Sequence, residues 1–254
     1  MLLGSEKSMN EVHALLLTGG SAFGLAAADG VMQYCEEYAI GYRTPWGTVP
    51  IVPAAVIFDL NVGSPRIRPT ADSGYRACKA ASPDERRGGR IGAGTGTTVG
   101  KWRGMAYAMP GGIGFDASQV GDLIVAAIAV VNAIGDIRDD DGTILAGARS
   151  LDGQWLARSM SYTAALRAAH PSLTNTTLVA VMTNATLAKV DANRAAQRMQ
   201  DGFARAIKPV HTTHDGDVSF VLASGQVNAP FEVVAESAAD VSAAAIRNAV
   251  RPER

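Results

Sequence analysis

Residues 172–184 read Ser-Leu-Thr-Asn-Thr-Thr-Leu-Val-Ala-Val-Met-Thr-Asn, a polar turn running straight into a continuous apolar stretch with β-branched content. Such a run, bounded by turn chemistry, is a buried strand. Its first residues are hydroxylic. If the chain cut itself between Asn175 and Thr176, Thr176 would carry both a γ-hydroxyl and a free α-amine, whose reference pKa of about 8 makes it a base near neutrality. Asn-Thr-Thr by itself is equally an ordinary junction, because Asn suits turns and Thr suits strands. The rest of the chain has to decide between the two.

A chain of 254 residues with 47% hydrophobic content can bury a large core, and residues 1–254 are read as a single domain. Lys plus Arg (23) nearly balance Asp plus Glu (24), leaving a net charge of −1. That balance gives no argument for nucleic acid or an anionic membrane, so a small molecule is the expected partner. Cys35 and Cys78 form neither a CxxC pair nor part of a metal quartet, which fits a reducing cytoplasm. The N-terminus lacks a basic segment followed by a long apolar core, and the longest apolar run, residues 123–131, is half a membrane span.

Taken in order, residues 12–17 read as a strand, 18–25 as the glycine turn Thr-Gly-Gly-Ser-Ala-Phe-Gly-Leu, and 26–38 as an Ala-rich helix. Free N–H groups at such a turn attract an anion or a developing oxyanion, or the glycines only permit tight packing. The turn lacks the G-x-G-x-x-G order, and residues 96–102 are one residue short of a P-loop, with Trp102 where a hydroxyl should hold magnesium. Alternating glycines over 91–96 suggest a strand with one bare face. Lys101 beside it could stabilise charge or carry a proton if buried, or be an ordinary surface lysine.

Residues 101–110 and 121–131 read as strands joined by a glycine loop, 111–114. Asn132 ends the second apolar run, as a satisfied core amide or an oxyanion donor. Arg86, Arg87 and Arg90 sit in a solvated loop, and residues 139–142 read as a hairpin turn rather than a calcium loop. No metal site or cofactor motif emerges. Residues 154–170 read as a helical linker ending at Pro171, 187–208 as a helix, and 235–250 as a closing amphipathic helix. Asp215-Gly216-Asp217 before a strand is a hairpin signal, or a carboxylate pair that orients reacting groups.

Together the segment 17–31, Val-Val-Asn-Ala-Ile-Gly-Asp over 130–136, Asn175-Thr176-Thr177, Pro209-Val210-His211-Thr212 and Asp215-Gly216-Asp217 resemble the P1 family of self-cleaving peptidases. That family contains L-aminopeptidase/D-esterase, β-peptidyl aminopeptidases and nylon-oligomer hydrolases. The resemblance implies an α/β (α+β) fold, a four-layer αββα sandwich of the aminopeptidase/ornithine-acetyltransferase type. It also implies cleavage into chains 1–175 and 176–254, with Thr176 as nucleophile. Lys101 and Asn132 would lie beside it, Asn132 binding the oxyanion, and Asp215 and Asp217 would orient the catalytic groups. Gly20, Ser21 and Phe23 would contact substrate, Phe23 replacing a tyrosine of some relatives. Family members usually begin several tens of residues earlier, so the first strands of the sandwich are expected to be lacking. The expectation is a cytoplasmic, homo-oligomeric hydrolase of short peptides or amide oligomers; a non-catalytic remnant or an acyltransferase is the alternative.

Overall fold

The structure, a computed structural model, describes residues 2–168 and 175–251. In chain order its elements are β1 (Leu16–Thr18), α1 (Ala27–Glu37), β2 (Tyr42–Thr44), β3 (Gly47–Val49), β4 (Ala54–Val56), α2 (Ala71–Ala80), β5 (Thr98–Val99), β6 (Met109–Pro110), β7 (Gly112–Val120) and β8 (Leu123–Asn132), followed by β9 (Asp136–Arg138), β10 (Ile144–Ala146), α3 (Tyr162–Ala168), β11 (Thr176–Ala185), α4 (Lys189–Ala206), β12 (Ile207–Lys208), β13 (Val218–Val227) and α5 (Phe231–Asn248).

The two long apolar runs, β8 and β11, are the inner strands of a four-stranded sheet ordered β13-β11-β8-β7. β11 runs antiparallel to β8 and parallel to β13, so the ladder fixes which ends of these strands meet. On one face, Val125, Ala127, Ala129, Val131, Val179 and Val181 join Met199 and Phe203 of α4 and Val241, Ala245 and Ile246 of α5 in the main core. A fully buried side chain of the size of Phe203 or Met199 contributes roughly 1.5–3 kcal/mol through its removal from water. The opposite face is covered near its polar end. There Val130 and Leu178 cluster with Ile57, Ile113, Leu17 and Ala55 from around β1 and β4, which pair in parallel. α1 and α2 pack on each other, with α1 against β1. The layers run α4/α5, central sheet, β1/β4, α1/α2, the αββα order of the expected α+β sandwich.

Several local expectations change. Residues 91–96 form a 3-10 turn (Gly92–Gly94) instead of a strand, because Gly94 and Thr95 bond back to Ile91 and Gly92 and local bonds compete with a ladder. Residues 101–110 are two 3-10 turns (Lys101–Arg103 and Met105–Tyr107) before the short β6. Residues 112–114 of the expected glycine loop are the start of β7, a strand that needs bare positions: a Cβ on Gly112 would lie 2.3 Å from the Ala249 carbonyl oxygen and one on Gly114 2.0 Å from that of Ala245. Glycine there brings α5 backbone onto the sheet. Strand 12–17 shrinks to β1, and Asp215-Gly216-Asp217 enters a strand parallel to β11, so it is no hairpin. The turn expected at 171–174 and His170 lie outside the described residues. Among the described residues no helix is long and apolar enough to cross a membrane.

Candidate active site

Thr176 opens β11 directly opposite Asn132, the last residue of β8. It is 9% exposed. Upstream, Asn175 bridges to Asp215 in parallel register. The Asn175 carbonyl oxygen accepts the Gly216 N–H at 2.9 Å and the Thr176 hydroxyl at 2.5 Å, while the Asn175 side-chain amide donates to the His214 carbonyl at 3.2 Å. Gly216 matters here for its missing side chain, since a Cβ would stand 3.1 Å from Thr176 Oγ1. The hydroxyl is therefore folded against the peptide bond that precedes it, and a main-chain N–H polarises that bond's carbonyl.

Lys101 reaches the same place from a separate turn. The Gly100 N–H donates to the Gly135 carbonyl at 2.8 Å and the Trp102 N–H to Ile134 at 3.0 Å. The Trp102 indole is buried and donates to Asp136 Oδ1 at 2.7 Å. Between these anchors Lys101 is buried, and its Nζ donates to Asn132 Oδ1 at 2.8 Å and to the Asn132 carbonyl at 2.9 Å. The Thr98 N–H also donates to Asn132 Oδ1, at 3.0 Å, and Asn132 Nδ2 donates to the Phe58 carbonyl at 2.9 Å. Asn132 thus holds Lys101, with its amide directed at Phe58. Burial lowers the Lys101 ammonium to about 7, against the opposing pull of Asp215 and Asp217. A lysine at that value exchanges its proton near neutral pH.

The two late aspartates do different work. Asp217 accepts the Thr177 N–H at 2.7 Å on Oδ1, while its Oδ2 lies 2.9 Å from His211 Nδ1. Asp215 Oδ2 accepts the Thr212 N–H at 3.0 Å and the Thr212 hydroxyl at 2.7 Å. Its carboxyl is pushed up by burial first and by the Asp217 charge second. Asn132 stands opposite Thr176 and holds Lys101, and Asp215 and Asp217 flank the start of the same strand; the Asn132 amide, expected as an oxyanion donor, donates to the Phe58 carbonyl.

The glycine turn stands one step removed. Gly20 and Ser21 are both left-handed (φ 84 and 54), yet the Gly20 N–H donates to Asp59 Oδ1 at 2.7 Å and that of Ser21 to the Ile57 carbonyl at 2.9 Å. These donors secure the segment that presents the Phe58 carbonyl to Asn132. Phe23 is 57% exposed with the Arg68 guanidinium 3.7 Å above its ring. Phe58, Asp59, Trp102 and Asp136 are contributors that sequence reasoning missed as site residues: the first three belong to no reactive pattern, and Asp136 closes the 130–136 segment without a role of its own there. A cavity of about 600 Å³ between the N-terminal segment and the α4–β13 face is lined by Met9, Leu15, Lys189 and Phe220, and by none of the residues around Thr176. Among the described residues no group of three or more His, Cys, Asp or Glu side chains gathers to hold a metal ion.

A model of peptidase family S58 matches residues 4–252. The chain belongs to peptidase family S58. It is 42% identical over 241 residues to an uncharacterized aminopeptidase of Mycobacterium leprae, covering 90% of this chain and 64% of that one. It is 32% identical over 226 residues to a 6-aminohexanoate-oligomer endohydrolase of Agromyces sp., covering 86% and 62%. This S58 chain thus spans less than two thirds of the length of these relatives. Among solved structures it resembles a Burkholderia sp. beta-aminopeptidase (TM-score 0.62, 20% identity, 88% of this chain and 62% of that one). It also resembles the L-aminopeptidase D-Ala-esterase/amidase of Ochrobactrum anthropi, described as a variant of the Ntn-hydrolase fold (TM-score 0.61, 20% identity, 89% and 62%).

Proposed function

We propose that this S58 chain is a self-processing hydrolase whose N-terminal nucleophile, Thr176, is created by cleavage after Asn175 and then cuts amide bonds in short peptides or amide-linked oligomers. The observation that carries the reading is the Thr176 hydroxyl against its own preceding carbonyl, beside a buried lysine that titrates near neutrality. The family and its amide-cleaving relatives support the same class of chemistry.

In the processing step, neutral Lys101 takes the Thr176 hydroxyl proton as Oγ1 attacks the Asn175 carbonyl carbon. The Gly216 N–H stabilises the resulting oxyanion. The C–N bond then breaks, the leaving Thr176 nitrogen takes the proton from Lys101, and water hydrolyses the ester to free the Asn175 carboxyl and the Thr176 hydroxyl. In turnover the new α-amine, with a pKa of about 8, serves as base for the same oxygen. An incoming amide acylates Thr176, its amine leaves, and water releases the acid. Asp217 and Asp215 hold the strand start and the adjoining loop in place, and Asn132 aims Lys101.

Intact-mass analysis tests this directly. Wild type is expected as two chains, 1–175 and 176–254, with amidase activity. Thr176→Ala should remain one inactive chain, and Thr176→Ser should still cleave. An uncut wild-type chain whose amidase activity survives Thr176→Ala would overturn the reading.

A further inference from the structure

Asp217 is the link between the nucleophile's strand and a residue with no role so far. Its Oδ1 holds the Thr177 N–H, next to the reacting residue, and its Oδ2 faces His211 Nδ1 at 2.9 Å. His211 has a left-handed backbone, φ 51, uncommon for a residue with a Cβ. Its ring leans on Phe203 of α4 with centroids 5.7 Å apart. A carboxylate can only accept, so Nδ1 carries a proton, and because the Asp217 side chain is only 6% exposed, a charged ring is the partner that compensates its buried carboxylate.

We propose that His211, held as a cation between α4 and Asp217, is a positioning residue for Thr176: it keeps Asp217 aimed at the Thr177 N–H, and loss of its proton loosens the nucleophile. The proposal rests on Thr176 being the nucleophile. Among the described residues the charged neighbours that act most on His211 are on its own loop: Asp217 through the hydrogen bond and its charge, and Asp215 through its charge. From α4 comes the uncharged Phe203 ring. Lys101 interacts with Asp215 and Asp217. The Asp217 hydrogen bond outweighs burial and raises the His211 pKa above 6.5. Lys101 must lose its proton to react, and His211 must keep its own, so the two titrations bound the rate on opposite sides.

The test follows the break after Asn175 by intact mass in freshly cell-free-synthesised chain between about pH 5.5 and 9.5, a window that takes in the histidine reference of about 6.5 and the Lys101 value of about 7. Wild type is expected to give a bell. In His211→Gln the maximum should fall by roughly tenfold or more, as small misplacements of reacting groups do, and the alkaline limb should vanish. In parallel, the His211 ring is titrated by NMR in the uncut Thr176→Ala chain, with and without Asp217→Asn. Its midpoint should lie above 6.5 and drop when Asp217 is neutralised. A wild-type rate and alkaline limb in His211→Gln, or a His211 midpoint at or below 6.5 in the Thr176→Ala chain, overturns the proposal; the titration decides if His211→Gln does not fold. A wild-type chain that stays whole at every pH instead sinks the self-cleavage reading.

Discussion

Asp136 and Asp215 lie in neighbouring buried polar clusters and differ in company. Asp136 is fully buried, with its oxygens taken by neutral donors: Trp102 Nε1 at 2.7 Å, the Ala148 N–H at 2.8 Å and the Tyr162 hydroxyl at 2.7 Å. Asp215 has Thr212 as its donor but shares its surroundings with Asp217 and the buried Lys101. Burial raises both carboxyls. Burial of an acid therefore does not separate the two; the like charge of Asp217 beside Asp215, and the buried Lys101 on which both act, do. The Asp136 cluster is a clamp that sets the turn carrying Lys101, and the Asp215 cluster lies beside the Asn175–Thr176 peptide bond.

The largest effect expected from this contrast is in Lys101→Met, which removes the proton carrier and should slow the break after Asn175 by about 10²–10⁴, read by intact mass, with the fold intact by circular dichroism. Little change in rate would erase the distinction between the two clusters. The pH dependence comes next. Below about 7 Lys101 is an ammonium that cannot accept the Thr176 proton, so the rate should rise as pH increases through that value. A rate that is flat from about pH 5.5 to 7.5, across the reference range of neutral titrations, would assign the base elsewhere.

Asp136→Asn should do the reverse of Lys101→Met. It sets an amide against the Tyr162 hydroxyl and weakens two short bonds, costing on the order of 1–3 kcal/mol in thermal unfolding, while the pH midpoint of cleavage stays in place. Asn132→Ala leaves the main-chain carbonyl to Lys101 and removes its side-chain acceptor on that residue, so a loss of about tenfold is expected, in line with about 1.4 kcal/mol. Smallest is Arg205→Ala, which breaks an exposed pair with Glu236 and Asp240 across α4 and α5. It should cost about 0–1 kcal/mol of stability and leave cleavage unchanged.

The two strands β8 and β11 were legible because long apolar runs bounded by polar residues have few other uses. Helices α1, α4 and α5 were legible to within a few residues, since apolar spacing is a local signal. The glycine-rich stretches were misread in both directions. At 91–96 alternation suggested a strand and the chain closed turns, whereas at 111–114 the glycines suggested a loop and residues 112–114 start a strand. Glycine spacing is silent on what approaches it, and at Gly112 and Gly114 what approaches is the backbone of α5.

The sequence by itself determined the candidate residue types: a hydroxyl at a strand start, a lysine, an amide and two acids, and their resemblance to one peptidase family. Only the tertiary structure decided that Asn132 stands opposite Thr176, that Asn132 orients Lys101, that Gly216 rather than the glycine turn addresses the Asn175 carbonyl, and that His211 stands behind Asp217. The reason is range. Residue type and short periodicity are written into neighbouring positions, whereas proximity between residues dozens of positions apart follows from strand register and layer packing, and the desolvation that tunes Lys101 exists only once those layers have closed over it.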